Sequence, residues 1–134
     1  MILKRFGGIY GPGRERLIDR ALNGKLEVRS VEHFTNRIHR DDAAGLLQHL
    51  LVHPSPNALY LGVDDEPVEE AMLFDWLIKE LGVGEPGIRA DDSLPSPSRA
   101  VGSKRCDNHR LRESGYQFHY PTFRDGYTPD TMIR

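Results

Sequence analysis

Apolar residues along the chain fall into short strand-like runs and into helical periodicities of three and four residues. Residues 2–9 predict a short buried strand that begins almost at the first residue. Residues 14–22 place their apolar side chains on one face, which predicts a helix, and Asn23-Gly24 ends it in the expected way. Residues 25–34 are only weakly strand-like.

The middle of the chain predicts a second helix. Asp41 or Asp42 can cap it, and Pro54 and Pro56 stop it. Because apolar residues recur at intervals of three and four, the predicted buried face consists of Ala43, Leu46, Leu47, Leu50 and Leu51.

A second strand and the longest predicted helix follow. Residues 58–63, ALYLGV, form a short apolar run that predicts a strand. Glu66-Pro67 then opens the helix, and Gly82 terminates it. Its inward face is predicted to contain Val68, Ala71, Met72, Leu77, Ile78 and Leu81.

The last third of the chain is less regular. Residues 84–103 are rich in Gly, Pro and Ser, which predicts a long loop. Residues 105–114 predict a final helix that Gly115 stops, and the aromatic-rich residues 116–127 are expected to dock along the body. The chain is therefore predicted to be α/β, although two core strands make a poor sheet and suggest that strands are missing.

Size and charge limit the classes of function. With 134 residues, one domain is expected. The net charge of -2 argues against electrostatic binding of nucleic acid, which needs a basic surface. The single cysteine, Cys106, excludes an intrachain disulfide and fits a reducing cytoplasm. The sequence contains neither a signal peptide nor an apolar run long enough for a membrane span, so a soluble cytoplasmic protein is expected.

The glycine-rich stretch RFGGIYGPGR, residues 5–14, raises the question of a phosphate-binding loop. The spacing of Gly7, Gly8, Gly11 and Gly13 does not match G-x-G-x-x-G, and no Gly-Lys-Ser/Thr ending is present. The stretch is better explained as a tight turn that needs positive φ at Gly11 or Gly13, with Pro12 fixing its neighbour.

Two histidine-containing clusters have the spacing of possible metal sites. His49 and His53 lie one helical turn apart, but no third ligand is obvious, and an exposed helix face explains them better. His39, Asp41 and Asp42 could contribute to a small metal-dependent hydrolase, whereas capping of the following helix by the two acids is the simpler interpretation.

Several basic side chains could gather around an anionic ligand, because the arginine fork suits a diphosphate. Solvated surface charge is the alternative. The candidates are Lys104, Arg105, Arg37, Arg40, Arg110 and Arg112. Cys106 has no activating neighbour beyond His109, and no G-x-S-x-G elbow is present, so neither a thiol nor a serine hydrolase is predicted.

The order of four motifs resembles a known family. RFGGIYGPGR, NRIHRDDAAG, ALYLGVDDEPVEEAMLFDWLIKELG and SKRCDNHRLRESGYQFHYPTFRDGY together span about residues 3–127. They resemble the C-terminal half of extended short-chain dehydrogenase/reductases, the NAD-dependent epimerase/dehydratase family, and in particular its sugar nucleotide epimerase-related branch. The resemblance implies the last strands of a Rossmann-type sheet plus the small, mostly helical substrate-binding lobe.

The family's catalytic and cofactor motifs are missing from these residues. None of the lysines at positions 4, 25, 79 and 104 has a tyrosine four residues before it, so no Y-x-x-x-K pair exists, and the glycine fingerprint is absent. The resemblance therefore implies that the full-length enzyme uses NAD or NADP, that this chain binds neither alone, and that it contains no catalytic residue.

The resemblance also implies roles for individual positions. Gly8, Ile9 and Tyr10 would line the cleft that faces the cofactor and the substrate. Arg37, Lys104 and Arg105 are the candidates for holding an anionic small-molecule substrate, and the branch that the chain resembles implies a nucleotide-sugar. Many sugar-nucleotide members carry Asn where Gly8 stands and Arg where Thr35 stands, so both positions depart from the nucleotide-sugar pattern.

Two functions remain open from the sequence. The first is the substrate-binding C-terminal portion of an NAD(P)-dependent epimerase/dehydratase-like oxidoreductase, inactive alone. The second is a stand-alone interaction module derived from that lobe. In the second case the exposed edges of strands 2–9 and 58–63 would pair with another chain, including a second copy.

Overall fold

A computed structural model describes residues 2–28, 32–52, 59–84, 87–88 and 105–127, which belong to two units. The first unit combines Met1–Arg14, Asn36–Pro67 and Cys106–Arg134, and the second combines Glu15–Thr35 and Val68–Arg105. Each unit is therefore built from segments that lie far apart in sequence. Within the described ranges, no helix has the length and apolar character that crossing a membrane requires.

The described elements are short strands and five helices. The strands are β1 (Ile2–Phe6), β2 (Gly8–Tyr10), β3 (Glu27–Val28), β4 (Phe34–Thr35), β5 (Arg37–His39), β6 (Leu59–Gly62), β7 (Val68–Glu69) and β8 (Gly87–Ile88). The helices are α1 (Arg16–Leu22), α2 (Arg40–Val52), α3 (Glu70–Leu81), α4 (His109–Glu113) and α5 (Phe123–Gly126). The predicted α/β class is confirmed, with small parallel and antiparallel sheets.

The first unit contains two parallel strand pairs, β1 with β6 and β2 with β5. The prediction of one strand over residues 2–9 is wrong, because the chain changes partner at Gly7. The Gly7 amide donates to Gly62 O at 2.9 Å, and the next amide, of Gly8, donates to Asn36 O at 2.8 Å. A Cβ at Gly7 would lie 2.6 Å from Asn36 O, so only glycine fits where the backbone changes partner.

Strand β5 escapes detection from sequence because it is three residues long and only its central residue, Ile38, is apolar. Helix α2 begins immediately after it, at Arg40. The prediction of only two core strands is therefore wrong, since two more strands, β2 and β5, pair in the same unit.

The core of the first unit lies between α2, β5, β6 and the segment after α4. Its buried members are Ile38, Ala43, Leu46, Leu50, Tyr60, Leu111 and Tyr116, with Phe6, Ile9 and Phe118 packed against them. The predicted face of α2 is too wide, since Leu47 is 45% and Leu51 74% exposed. Each fully buried leucine contributes about 1.5–3 kcal/mol relative to an exposed one, so Leu46 and Leu50 hold this helix in place.

The second unit packs α1 against α3 and contains the antiparallel pair β4–β7 and the parallel pair β3–β8. Its described buried apolar side chains are Ile18, Ala21, Leu26, Val68, Leu73, Phe74, Leu77 and Ile78. Helix α3 begins at Glu70 rather than at residues 66–67, because Val68 and Glu69 pair with β4. Met72 is 56% exposed, not inward. Gly82 ends α3 with φ 67°, as predicted.

Other boundaries shift for local reasons. Helix α1 begins at Arg16 rather than Arg14, because Arg14 N donates to Gly11 O at 2.8 Å and closes a turn. The predicted helix 105–114 shortens to α4, and α2, with 13 residues, is longer than α3, with 12. Positive φ at Gly11 (132°) and Gly13 (84°) confirms the tight turn. Pro54, Pro56, His53 and most of the loop 84–103 lie outside the described residues.

Candidate functional site

The pairing of β2 with β5 sorts their side chains onto two faces. Gly8 faces Arg37, Ile9 faces Ile38 and Tyr10 faces His39 in a parallel register. Because successive side chains of a strand point to opposite faces, the two isoleucines share the core face. The other face carries Gly8, Tyr10, Arg37 and His39, and we call it the polar face of β2 and β5.

Aromatic rings cover the carboxyl end of the polar face. Tyr10 is 2% exposed, and its ring stacks on Tyr127 with centroids 4.2 Å apart. The His39 ring meets Tyr10 edge-on at 5.3 Å and stacks on Tyr120 at 3.9 Å. Gly126 makes this packing possible, since a Cβ there would collide with the Tyr10 ring. Burial raises the pKa of Tyr10, so its phenol stays neutral.

His39 caps helix α2, a role that the sequence suggested for Asp41 or Asp42. The Asp41 amide donates to His39 Nδ1 at 3.0 Å, so the neutral ring carries its proton on Nε2. That nitrogen is buried without a hydrogen-bond partner among the described residues, and a Cβ on Gly11 would lie 3.1 Å from it. Burial lowers the pKa of His39, which keeps the ring uncharged, and the hydrogen bond from the Asp41 amide selects its tautomer.

Asp42 anchors the C-terminal segment rather than capping α2. Its buried carboxylate accepts hydrogen bonds from Tyr116 Oη at 2.7 Å, His119 N at 2.8 Å and Tyr120 N at 2.9 Å. Burial raises the pKa of Tyr116, and the hydrogen bond that its hydroxyl donates to Asp42 raises it further. Both carboxylate oxygens are thus used to hold the aromatic segment, and Asp42 is not arranged as a metal ligand.

Asp64 lies two residues after β6, just beyond the carboxyl end of a parallel strand. Its amide donates to Arg37 O at 2.6 Å, and its Oδ1 accepts from Glu66 N at 3.0 Å. The side chain is 2% exposed, and Oδ2 has no hydrogen-bond partner within the described ranges. Burial raises the pKa of Asp64 to about 7, although the Glu66 amide and the Arg37 charge oppose the shift.

Arg37 connects this buried carboxyl to the surface. Its Nε is buried and unpaired with respect to the described residues, whereas Nη1 lies 3.9 Å from the position of a Cβ on exposed Gly8. The Arg37 charge lowers the pKa of Asp64, and it opposes the raising effect of burial on Tyr10 and Tyr127. The open space beside Gly8 is therefore bordered by one guanidinium group.

The other predicted basic residues have different surroundings. Arg112 binds Asp65, with Nε 2.6 Å from Oδ1, and Arg40 donates to Pro12 O and to Asp41. Arg105 belongs to the second unit, where its guanidinium lies 4.0 Å from the Phe34 ring centroid. Arg110 is exposed beside a cavity of about 400 Å³ between β6 and α4, and Lys104 lies outside the described residues.

The predicted cofactor positions divide by exposure. Gly8 is exposed, Ile9 is turned to the core and Tyr10 is covered by Tyr127. The turn at residues 11–14 is closed by its own hydrogen bond and by Arg40, so its amides do not form a pyrophosphate cradle. This turn does not fit the phosphates of a dinucleotide, and the cofactor role of Gly8, Ile9 and Tyr10 stays a prediction.

Sequence reasoning missed Asp64, Asp42 as an anchor, and Tyr127. The signal for Asp64 was available, because ALYLGV is followed at once by an acid, and polar residues after parallel strands meet at one edge of a sheet. Tyr127 could not be inferred, since its stacking on Tyr10 joins residues with no spacing pattern between them. Among the residues that the structure describes, no group of three or more acidic, His or Cys side chains could hold a metal ion.

Neither a family model nor a curated protein matches the chain. Solved structures do match the chain. A protein from Methylobacillus flagellatus, provisionally described as an NAD-dependent epimerase/dehydratase, is 35% identical with a TM-score of 0.68, over 91% of this chain and 43% of its own. A conserved protein of unknown function from Silicibacter pomeroyi is 30% identical with a TM-score of 0.76, over 90% of this chain and 45% of its own.

A human epimerase family protein, SDR39U1, solved with NADPH, has the same fold at 20% identity, with a TM-score of 0.77 over 95% of this chain and 46% of its own. The chain therefore spans less than half the length of the solved structures it matches. The structural neighbours of this chain are NAD-dependent epimerase/dehydratase family proteins, as its motif order indicated.

Proposed function

We propose that this chain is the C-terminal, substrate-binding portion of an NAD(P)-dependent epimerase/dehydratase-like oxidoreductase and is inactive alone. The observation that carries the proposal is the match over nine-tenths of this chain to under half of its relatives, together with the absence of Y-x-x-x-K and the glycine fingerprint from these 134 residues. NAD or NADP, held by the remainder of such a protein, would accept hydride from a substrate hydroxyl.

In this proposal the chain contributes the substrate side of the cleft. Gly8 leaves open space at the surface, and Arg37 supplies the charge that an anionic substrate requires. Lys104 and Arg105 remain candidates for the same role. A nucleotide-sugar is the substrate class suggested by the family resemblance, although Gly8 and Thr35 differ from its usual residues.

Calorimetric titration separates the parts of this proposal. NADH and NADPH should show no saturable binding to the 134-residue chain, and saturable binding of either would contradict the proposed division of labour. UDP-glucose, used as an anionic probe, should bind weakly and lose that binding in Arg37→Gln. Arg16→Gln, on the exposed face of α1, is the matched control that should leave binding unchanged.

The alternative function is a stand-alone interaction module. It is favoured by the two-stranded pairs of the first unit, because parallel sheets are normally covered on both faces and extended by further strands. Size-exclusion chromatography with light scattering tests it. A stable homodimer or a co-purifying protein supports the module, whereas marginal melting or aggregation supports a portion of a larger sheet.

A further inference from the structure

Beside the polar face of β2 and β5 lies a buried carboxyl, that of Asp64, which the proposed substrate site does not use. Asp64 is held rigidly, since Oδ1 is committed to the Glu66 amide and the Asp64 amide to Arg37 O. Oδ2 and Arg37 Nε are both buried without hydrogen-bond partners in the described part of the chain. Buried polar atoms are normally paired, so these two atoms need an explanation, and His39 Nε2 and Tyr127 Oη are likewise buried without a partner among the described residues.

Arg37 has two environments along its length. Its Nε atom is buried, and its Nη1 atom borders the exposed space beside Gly8. Its backbone oxygen accepts from the Asp64 amide at 2.6 Å, which places the two residues side by side. The surroundings of Asp64 come from several elements: Arg37 on β5, Tyr10 on β2, Asp42 on α2, Tyr127 after α5 and Glu66 in its own turn. Arg37 is the only cation in this set, so the charge of Asp64 acts chiefly on Arg37.

We propose that Asp64 is a positioning residue that sets how strongly Arg37 holds an anionic group at the Gly8 surface. When Asp64 is ionised, it attracts the guanidinium inward and cancels part of its charge at the surface. When Asp64 is neutral, the charge of Arg37 is fully available to the ligand. This inference rests on the proposed function, because it presumes that Arg37 binds the anionic part of the substrate.

The direction of the pH dependence follows from the sign of this coupling. Burial favours the neutral form of Asp64 and raises its pKa to about 7. Anion affinity is therefore highest below that value and falls as the pH rises through it. By reciprocity, a bound anion must raise the pKa of Asp64 further, since each binding event changes the other by the same factor.

Sulfate is a suitable probe because its charge is constant over the pH range of interest. Binding to the 134-residue chain is measured between about pH 5.5 and about pH 8.5 at constant ionic strength, which holds screening fixed. We expect wild-type affinity to fall about fivefold or more across this range, the size of an ordinary coupling between two sites. Asp64→Asn should bind with the low-pH affinity throughout, and Asp75→Asn, an equal charge change on the exposed face of α3, should keep the wild-type profile.

The outcomes separate this inference from the function on which it rests. Sulfate binding that Arg37→Gln abolishes, but that is independent of pH in the wild type, would leave the anion site intact and refute the role of Asp64. Binding that is unaffected by Arg37→Gln would refute both. A ¹³C NMR titration of the Asp64 carboxyl in the wild type, with sulfate against chloride, checks the coupling without any substitution; an unchanged pKa would overturn it.

Discussion

Replacing Asp64 by asparagine should change how the stability of the protein depends on pH. The carboxyl is 2% exposed, and its pKa lies at about 7 in the folded state against 3.8 for the ordinary group. A group whose pKa is raised by folding stabilises the fold below the unfolded value, and this contribution is lost as the pH rises through the folded value. Wild-type stability should therefore fall between about pH 4 and about pH 8 because of this one group.

The magnitude follows from linkage. Between about pH 5 and about pH 8, the shift removes close to two pKa units of stabilisation, or roughly 2.5 kcal/mol. Asp64→Asn lacks this pH-dependent contribution to the unfolding free energy. Other effects of the substitution on stability, such as that of an amide placed near Tyr127, do not vary with pH. The quantity to compare is thus the change in unfolding free energy between the two pH values, wild type against variant, because constant packing effects cancel in that difference.

Urea denaturation at each pH gives both free energies. With an ordinary dependence on denaturant, the wild-type midpoint should drop by on the order of 1 M more than the midpoint of Asp64→Asn over this pH range. Asp75→Asn controls for the loss of one negative charge at an exposed ion pair. Parallel pH profiles for wild type and Asp64→Asn would refute the reasoning, because they would mean that Asp64 titrates normally.

Three further tests, two of them with a matched control variant, address the packing of the first unit. Asp42→Asn should lower the unfolding free energy by about 3 kcal/mol, because a buried charged acceptor of three hydrogen bonds is lost. The control Asp41→Asn, at an exposed position, should change it by no more than about 0.5 kcal/mol. Equal effects of the two substitutions in urea denaturation would disprove the anchoring role of Asp42. Gly126→Ala should cost about 2 kcal/mol by collision with a buried ring, and an unchanged melting curve would contradict that close approach. Gly7→Ala should lower the unfolding free energy by a similar amount, whereas Gly8→Ala should leave it nearly unchanged. A larger drop in melting temperature for Gly8→Ala than for Gly7→Ala would show that the chain does not change strand partner at Gly7.

Periodicity and end signals identified the elements that are long enough to carry a pattern. Helix α2, strand β6 and the Gly82 terminus of α3 all follow from apolar spacing and a glycine cap. Strand β5 could not be predicted, because three residues with one apolar side chain carry no alternation and its pairing with β2 is a long-range choice. The same limit hid the break at Gly7, which exists only because Asn36 O occupies the space of a side chain.

The candidate site was only partly accessible from sequence. Motif order pointed to Gly8, Tyr10 and Arg37, and these residues do share one strand pair. Their environments were not predictable: Tyr10 is covered by an aromatic ring from the far end of the chain, and the acid after β6 is buried. Asp41 and Asp42 both lie in the first turn of α2, yet they differ completely in exposure, because only Asp42 meets the aromatic segment.

The interleaving of chain segments in the first unit has a consequence for the order of folding. Pairing Gly8 with Arg37 closes a loop about half as long as the loop closed by pairing Ile2 with Leu59, an advantage of roughly 0.6 kcal/mol in closure entropy. Once β2 and β5 have met, the remaining loop to β6 is effectively shorter. The β2–β5 ladder, which carries Arg37, is therefore expected to form early, and the β1–β6 ladder to close last. The polar face of β2 and β5 would then take shape before the neighbouring strand pair is complete.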